Sequence, residues 1–174
     1  AISAMKYGAI ILGLFIYLAS AQGAQAQYDK YKALYIYNFT KRIDWPKEEK
    51  NGDFIMGVLG KSEIVNPLKG FTENKKVINR PIKVEQYLSA ESINDCDLLF
   101  VTSRFKDLTP IITEQYKNAP VLIITDEPGS GGDINFRETE KSLLFEINPE
   151  QIRKKQLKVS QSLINLGIEV SNGT

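Results

Sequence analysis

The chain has 174 residues, with 22 Lys and Arg against 21 Asp and Glu, so its formal net charge is only +1. A near-neutral chain presents no field of one sign, which argues against nucleic acid or anionic lipid as a partner. It has no histidine and one cysteine. Imidazole-based catalytic triads, His-ligated zinc sites and a disulfide within the chain are therefore excluded.

The start of the chain has the pattern of a secretory signal peptide. One lysine precedes the apolar run of residues 7–20, and small residues follow in "AQGAQAQ". A short basic start, an apolar core and a small-x-small site are typical of such signals. We predict a signal peptide over residues 1–26, with residues 1–4 as extra upstream residues and cleavage after Ala26; Ala21 is the alternative site. An uncleaved membrane anchor or a buried helix is the competing interpretation.

The predicted mature chain, residues 27–174, is long enough to bury a core of its own and shows no internal repeat or linker. Its first segment, residues 28–46, is predicted to be a helix because apolar side chains recur at three- and four-residue spacing. Pro46 would end this helix, since proline cannot continue the hydrogen-bond ladder. The predicted apolar face is formed by Tyr31, Leu34, Tyr35, Phe39 and Ile43.

Strand-like and helix-like segments alternate through the middle of the chain. Nearly continuous apolar runs predict strands that are covered on both faces, and an alternating run predicts a further strand. The predicted strands are residues 53–60, 81–88, 97–102 and 120–126, and the predicted helical segments are residues 61–71, 89–96 and 104–119.

The last third of the chain predicts a hairpin followed by helix. Residues 133–150 divide into two strands around the short polar connector "RETEK", so the two strands should be antiparallel. Helix is expected to follow, with Asn148 as N-cap, Pro149 at the first position and a bend near Val159. Strands separated by helices imply a parallel sheet. We predict an α/β three-layer sandwich whose mainly parallel sheet is flanked by helices and ends in an antiparallel hairpin and a C-terminal helix.

The stretch "TDEPGSGGDINF", residues 125–136, is a glycine-rich loop at the end of a predicted strand. A dinucleotide fingerprint needs G-x-G-x-x-G leading into a helix, but Ile134 occupies the third glycine position and a strand follows. The glycines are expected to supply positive φ angles instead. Ligands often bind at this edge of α/β sheets, although solvated loop carboxylates are the alternative. The candidate ligand residues are Asp126, Glu127, Gly129, Gly131 and Gly132.

Cys96 lies at the start of a predicted strand, next to two aspartates that would raise its pKa. We expect a free thiol that is buried as a small apolar residue; a reactive thiol or an intermolecular bridge is the alternative. Neighbouring acids are common in soluble proteins and do not indicate acid–base catalysis. We therefore predict that the protein is not an enzyme and has no catalytic residue, metal site or cofactor.

The first predicted helix carries more aromatic residues than one core-facing stripe requires. Tyr35 and Tyr37 are two positions apart and cannot face the same side of a helix. Tyr and Trp are favoured at protein interfaces, so part of this surface is a candidate for binding a partner. The alternative is that the monomer covers both sides. The candidate partner-binding residues are Tyr31, Tyr35, Tyr37 and Trp45.

Several segments together resemble the YfiR-like family of periplasmic regulatory proteins. The resemblance spans nearly the whole mature chain, and its most specific parts are an opening helix that ends in W-P, a G-G-x-I-x-F turn and an F-E-I-N segment. These parts occur here in "KALYIYNFTKRIDWP", "PVLIITDEPGSGGDINF" and "LLFEINPEQIRKKQLKVSQSLINLG", with "DCDLLFVTS" between the first two.

The resemblance implies a non-enzymatic periplasmic regulator, often a homodimer, that holds an inner-membrane signalling protein such as a diguanylate cyclase inactive. It implies no membrane insertion after signal cleavage, and release of the partner upon envelope or redox stress. Two positions depart from the family: Asp97 replaces a frequent histidine, and Cys96 lacks the second cysteine of redox-responsive branches, so an intramolecular disulfide switch does not carry over. The alternative function is a periplasmic small-molecule-binding module with its site in the loop of residues 126–132.

Overall fold

The computed structural model describes residues 23–46 and 50–171. Residues 1–22 of the predicted signal peptide lie outside the described residues, whereas residues 23–26 form the exposed start of the first helix. Cleavage after Ala26 therefore stays a prediction. No helix in the described part of the chain is both long enough and apolar enough to cross a bilayer.

The first helix, α1, covers residues 23–39 of the described chain. It ends earlier than predicted, because Lys41 N–H and Arg42 N–H turn back to the carbonyls of Asn38 and Phe39. The chain then enters a two-residue strand, β1 (Ile43–Asp44), instead of continuing as helix to the proline. β1 pairs antiparallel with β9 (Lys158–Val159), a contact that local sequence could not indicate.

The predicted apolar face is confirmed for Phe39 and Ile43, which are buried, and for Tyr35, which packs on the core, but it is wrong for the first two of its residues. Tyr31 and Leu34 are 45% and 38% exposed. The positions that are buried instead are Lys32, Ala33 and Ile36. Apolar spacing missed this face because a lysine lies in the middle of it.

Eight strands form the main sheet, in the order β10-β8-β7-β6-β5-β2-β4-β3. Five pairs of neighbouring strands are parallel: β4–β2, β2–β5, β5–β6, β6–β7 and β8–β10. The pairs β3–β4 and β7–β8 are antiparallel. The predicted hairpin is therefore confirmed. The strands are β2 (Phe54–Leu59), β3 (Lys76–Val77), β4 (Arg80–Tyr87), β5 (Leu98–Val101), β6 (Leu122–Thr125), β7 (Ile134–Glu138), β8 (Leu143–Ile147) and β10 (Ile168–Glu169).

The helices after α1 are short. Asn148 caps α4 by accepting a hydrogen bond from Gln151 N–H at 3.0 Å, and Pro149 begins that helix, as predicted. The closing segment divides near Val159, also as predicted, although β9 and not a simple bend makes the division. The remaining helices are α2 (Val65–Thr72), α3 (Thr109–Gln115), α4 (Pro149–Lys154), α5 (Gln161–Ile164) and 3₁₀ helices at Ala90–Ser92 and Ser103–Leu108.

The two faces of the sheet bury two separate apolar cores. Alternate residues of β5 show the division, with Leu98 and Phe100 on one face and Leu99 and Val101 on the other. Helices α1, α2, α4 and α5 pack on the first face, and α3 with the preceding 3₁₀ helix packs on the second. This arrangement has three layers, and the predicted α/β class is confirmed.

Candidate functional site

The glycine-rich loop joins two adjacent parallel strands without a helix. Residues 126–133 connect β6 to β7, whereas parallel neighbours usually need a crossover of about a dozen residues. Gly129 and Gly131 adopt φ angles of 70° and 83°, which confirms the expected positive φ. A Cβ on Gly132 would lie 2.7 Å from Thr125 Cγ2, so this position excludes a side chain. The glycines therefore serve the short connection itself.

Asp133, at the end of the loop, is fully buried and fastens the loop to α4. Its Oδ2 accepts hydrogen bonds from Ile123 N–H at 2.7 Å and from Lys155 Nζ at 2.8 Å. Its Oδ1 accepts from Gln151 Nε2 at 2.9 Å. Lys155 is itself only 1% exposed. Asp133 and Lys155 thus form a buried ion pair with a structural role.

The middle of the loop is held by polar side chains of β7 and β8. Asn135 Oδ1 accepts hydrogen bonds from Thr125 Oγ1 at 2.7 Å and from Gly132 N–H at 2.9 Å. Glu146, also buried, accepts from Gly129 N–H at 2.8 Å. These bonds direct the loop's backbone donors inward, to the protein's own side chains.

Asp126 lies on the inner side of the loop and is paired with a buried lysine of α1. Its Oδ1 is 2.5 Å from Lys32 Nζ, and its Oδ2 accepts from Ser103 Oγ at 3.2 Å. Lys32 also pairs with Glu138. Burial raises the pKa of Asp126, and the neighbouring ammonium opposes that rise. Sequence reasoning missed Lys32; the available signal was a lysine inside an otherwise apolar helix face.

Glu127 is the more exposed of the two candidate carboxylates in the loop. It forms an ion pair with Lys106 at 3.0 Å, and its backbone carbonyl accepts from Thr125 Oγ1 and Ser130 Oγ. All five candidate ligand residues therefore lie in one loop, and both of its candidate carboxylates contact the protein's own cations. Ligand binding by this loop stays a prediction.

Cys96 is a free thiol with no exposed surface. Burial, with a contribution from Asp97, raises its pKa to about 12, so the thiol is protonated at neutral pH. The buried interpretation is confirmed. Within the described residues, no group of three or more His, Cys, Asp or Glu side chains is arranged to hold a metal ion.

Asp97, directly after Cys96, joins three segments of the chain. Its carboxylate accepts hydrogen bonds from both terminal nitrogens of Arg80 at 2.9 Å and from Ile55 N–H at 2.9 Å. Lys50 Nζ lies 3.2 Å away. A carboxylate at this position therefore ties β4 to the start of the neighbouring strands.

The structure does not gather the four aromatic candidates into one patch. Tyr35 is half-buried, and its ring packs against Phe39, Phe136 and Phe145 at centroid distances of 5.9, 6.2 and 5.9 Å. Tyr31 is exposed and accepts a hydrogen bond from Gln27 Nε2 at 2.9 Å. Tyr35 therefore belongs mainly to the core, whereas Tyr31 remains on the surface.

Tyr37 and Trp45 lie together, on a groove beside the C-terminal end of α1. Trp45 is only 5% exposed; its ring meets Phe54 edge-on at 5.0 Å and its Nε1 donates to Asp97 O at 3.2 Å. Tyr37 is half-buried, with Lys41 Nζ 4.2 Å from its ring centroid. Trp45 and Tyr37 thus both line the groove.

We call this feature the lysine-rimmed groove. Its volume is about 770 Å³, and its described lining contains three lysines but a single aspartate. The end of α1, β1, the β3–β4 hairpin and the segment around the start of β9 contribute its lining. The lining residues are Tyr37, Thr40, Lys41, Ile43, Asp44, Trp45, Pro46, Lys76, Val77, Ile78, Gln156 and Lys158.

The β3–β4 turn brings a strained apolar residue to this groove. Ile78 and Asn79 have φ angles of 50° and 62°, the type I′ arrangement that favours Asn and Gly. Asparagine tolerates the left-handed region, but a β-branched residue there is an outlier. Ile78 is nevertheless 42% exposed. Sequence reasoning missed this residue, because only Asn79 carried a turn signal.

Residues 29–168 match the sequence profile of the family DUF4154, described as YfiR/HmsC-like. The match covers most of the chain and confirms the resemblance seen in the sequence. No curated protein has a significant match to the chain.

Proposed function

The chain belongs to the YfiR/HmsC-like family, and on that premise we propose that it is a periplasmic regulatory protein that controls an inner-membrane signalling protein by direct contact. The partner would be a diguanylate cyclase or a similar sensor. The signal peptide of residues 1–26 would be removed on export, and the mature domain would act as a homodimer without catalysing a reaction. The family match supports the regulatory and periplasmic part of this proposal.

The observation that carries the proposal is the strained, exposed Ile78 at the lysine-rimmed groove. A left-handed β-branched residue costs about 1–3 kcal/mol, and such strain tends to cluster at functional sites. Ile78 does not repay that strain by burial, since much of its side chain is exposed. Ile78 lines the same groove as Tyr37, and its exposed side chain is suited to anchor an apolar side chain of a partner.

The charges of the groove indicate the chemistry of the partner segment. Lys41, Lys76 and Lys158 surround it, and only Asp44 opposes them among the described lining residues. Complementary charge steers association and excludes wrong partners. We expect the partner segment to be acidic, with an apolar side chain placed against Ile78.

The glycine loop gives the alternative function less support. A small-molecule site would present convergent polar groups to a cavity. Asp126, Glu127 and the backbone donor of Gly129 are instead engaged with Lys32, Lys106 and Glu146. The regulatory proposal is therefore the one that the geometry favours.

The test is chemical cross-linking of the tagged mature protein in intact envelopes of its host, followed by purification and mass spectrometry. The decisive variant is Ile78→Asn, which removes the apolar side chain but suits the left-handed backbone and should fold at least as well. We expect one inner-membrane signalling protein to cross-link to the unmodified protein and about tenfold less to the variant, the loss of a typical interface anchor.

The matched control is Ile111→Asn, because Ile111 is also exposed, at 66%, and lies on α3, which packs on the opposite face of the sheet. It should cross-link like the unmodified protein. If Ile78→Asn recovers the same signalling protein at equal yield, the partner does not bind at the lysine-rimmed groove. Recovery of no protein except the bait, at matched expression, would contradict the regulatory function.

A further inference from the structure

The outer edge of β4 is open along most of its length. On its inner side β4 pairs with β2 from Ile82 to Tyr87. On its outer side β3 covers only Arg80 and Pro81. In the described part of the chain, no strand pairs with this outer edge beyond Ile82, whose N–H donates to Lys75 O at 3.0 Å. An open strand edge is a template for adding another strand.

The hydrogen bonds at the two ends of β4 fix which residues face outward. Tyr87 O accepts from Gly60 N–H on the β2 side at 2.8 Å, whereas Ile82 N–H points to the opposite side. Backbone groups of successive residues in a strand alternate in direction. Val84 and Gln86 therefore direct their N–H and C=O groups outward, where an added strand would bind them.

The side chains along this edge are complementary under a two-fold axis. Lys83 and Glu85 flank Val84 on one face of β4 and form an ion pair of 2.8 Å along the strand, with side chains 57% and 27% exposed. If two β4 strands pair antiparallel with Val84 opposite its own copy, Lys83 lies opposite the partner's Glu85 and Glu85 opposite the partner's Lys83. A register centred one residue earlier would instead place Lys83 against its own copy.

The same register satisfies the backbone. With Val84 opposite its copy, Val84 and Gln86 occupy hydrogen-bonded positions, in agreement with their outward direction. Ile82, opposite the partner's Gln86, contributes only its C=O, because its N–H already donates to Lys75 O. Lys83 and Glu85 then occupy the positions without interchain hydrogen bonds, where opposing Cα atoms approach to about 4.5 Å and side-chain contacts are closest. The charges of Lys83 and Glu85 and the outward direction of the backbone groups thus favour the same partner for this edge, the β4 strand of a second copy of this chain.

We propose that the protein dimerises by antiparallel pairing of β4 with the β4 strand of a second copy, which joins the two sheets into one continuous sheet. The other end of the sheet is a poorer candidate, because β10 has only two residues, Ile168 and Glu169. This inference rests on the homodimer of the proposed function and names its interface. It does not depend on the lysine-rimmed groove or on the membrane partner.

The test is sedimentation velocity of the mature protein over a dilution series. We expect a reversible dimer that is weakened about tenfold by Lys83→Glu or by Glu85→Lys, since each places like charges opposite one another twice in the dimer. The double variant K83E/E85K restores opposite charges in the same register and should recover the affinity of the unmodified protein. Lys117→Glu is the matched control, because Lys117 is 55% exposed and lies on the surface beyond α3.

A backbone variant tests the edge independently of charge. Gln86→Pro removes an outward N–H at an exposed position, and proline is tolerated in edge strands when its nitrogen faces solvent. We expect a monomer with an unchanged circular dichroism spectrum. Its thermal midpoint should fall slightly, because the variant also loses the hydrogen bond of 3.0 Å from Gln86 Nε2 to Gly60 O.

Three results would overturn the inference in different ways. A dimer of unchanged affinity in K83E, E85K and Q86P would place the interface elsewhere and leave the homodimer intact. Weakening by both single variants without recovery in the double variant would contradict the register. A monomer at every concentration of the unmodified protein would remove both the interface and the homodimer, whereas the regulatory contact is judged separately by cross-linking.

Discussion

The glycine-rich loop and the β3–β4 turn both contain two residues with positive φ, but they use them in opposite ways. In the loop the positive angles fall on Gly129 and Gly131, for which they cost little. In the turn they fall on Ile78 and Asn79, and the isoleucine is strained. The backbone of the loop is therefore unstrained at these positions, whereas the backbone of the turn is strained at Ile78.

The two regions also differ in what their side chains contact. Loop side chains bind inward, and the buried Asp133–Lys155 pair fastens the loop to the core. The turn directs Ile78 outward, against a groove lined with lysines. The glycine-rich loop thus makes contacts that stabilise the fold, and the β3–β4 turn carries the exposed side chain that we propose for the contact with a partner.

The largest effect is expected when the loop loses its buried cation. Lys155→Met should lower the free energy of unfolding by about 3–5 kcal/mol, because it leaves the Asp133 carboxylate buried without a counterion. Urea denaturation at pH 7 measures the change. Lys106→Met is the control, since the ion pair between Lys106 of the 3₁₀ helix and Glu127 of the loop is exposed and should contribute far less. Equal losses would contradict the structural role of the buried pair.

A smaller loss is expected where α1 meets the loop. Lys32→Met should cost about 2–3 kcal/mol at pH 7, because Asp126 and Glu138 lose their shared cation and Glu138 remains partly solvated. Lys30→Met, at an exposed position of the same helix, should change stability little.

The pH dependence of this loss has a definite sign. Burial already raises the pKa of Asp126, and removing Lys32 raises it further. A carboxyl with a raised pKa destabilises the fold while ionised, and this penalty disappears as the pH falls through its folded pKa. The loss in Lys32→Met should therefore be smaller at pH 4 than at pH 7. Burial lowers the pKa of Lys32, but Asp126 and Glu138 outweigh it and raise that pKa above its usual 10.5. The contribution of the ammonium is therefore fully present below pH 10.5 as long as its carboxylate partners are ionised, and it is lost as the pH rises through the raised pKa.

A third change tests whether the loop needs a glycine at position 132, where the backbone lies closest to neighbouring side chains. Gly132→Ala should cost about 1–2 kcal/mol, because the added Cβ would lie 2.7 Å from Thr125 Cγ2 and 2.9 Å from Asn135 Oδ1. Gly70→Ala in α2 is the opposite case. Nothing lies within 4 Å of a Cβ there, and alanine favours helix, so this variant should gain up to about 1 kcal/mol. Thermal unfolding of both variants measures the two changes in stability. Opposite signs would show that the space around the added Cβ decides the effect, whereas equal signs would show that the loss of a glycine decides it.

Much of the fold could be predicted from the sequence, because the pattern of apolar residues within each long strand identifies it. β5 and β6 are continuous apolar runs that only a covered strand explains, and "RETEK" is too short for anything but a hairpin. The face of α1 could not be predicted in this way. Its buried Lys32 is stabilised by Asp126 and Glu138, which are distant in the chain.

The candidate surface was only partly visible in the sequence. The excess of aromatic residues pointed to the first helix and its end, where Tyr37 and Trp45 do line the groove. Ile78 could not be found, since its left-handed backbone depends on the pairing of β3 with β4. β1 and β9 were missed for the same reason, because Ile43 pairs with Val159 across most of the chain. Short strands of two residues have no periodicity of their own.

The smallest expected effect is the change in stability caused by Ile78→Asn, and it separates backbone strain at this residue from its role in binding. Ile78→Asn should raise the free energy of unfolding by about 1 kcal/mol, because asparagine enters the left-handed region more easily than a β-branched residue. Urea denaturation of the isolated protein measures this gain without any partner. A variant that is more stable and yet binds its partner less would show that Ile78 costs the fold stability and serves an interaction. A loss of stability would mean that the Ile78 side chain supports the fold, and the contrast between turn and loop would then fail.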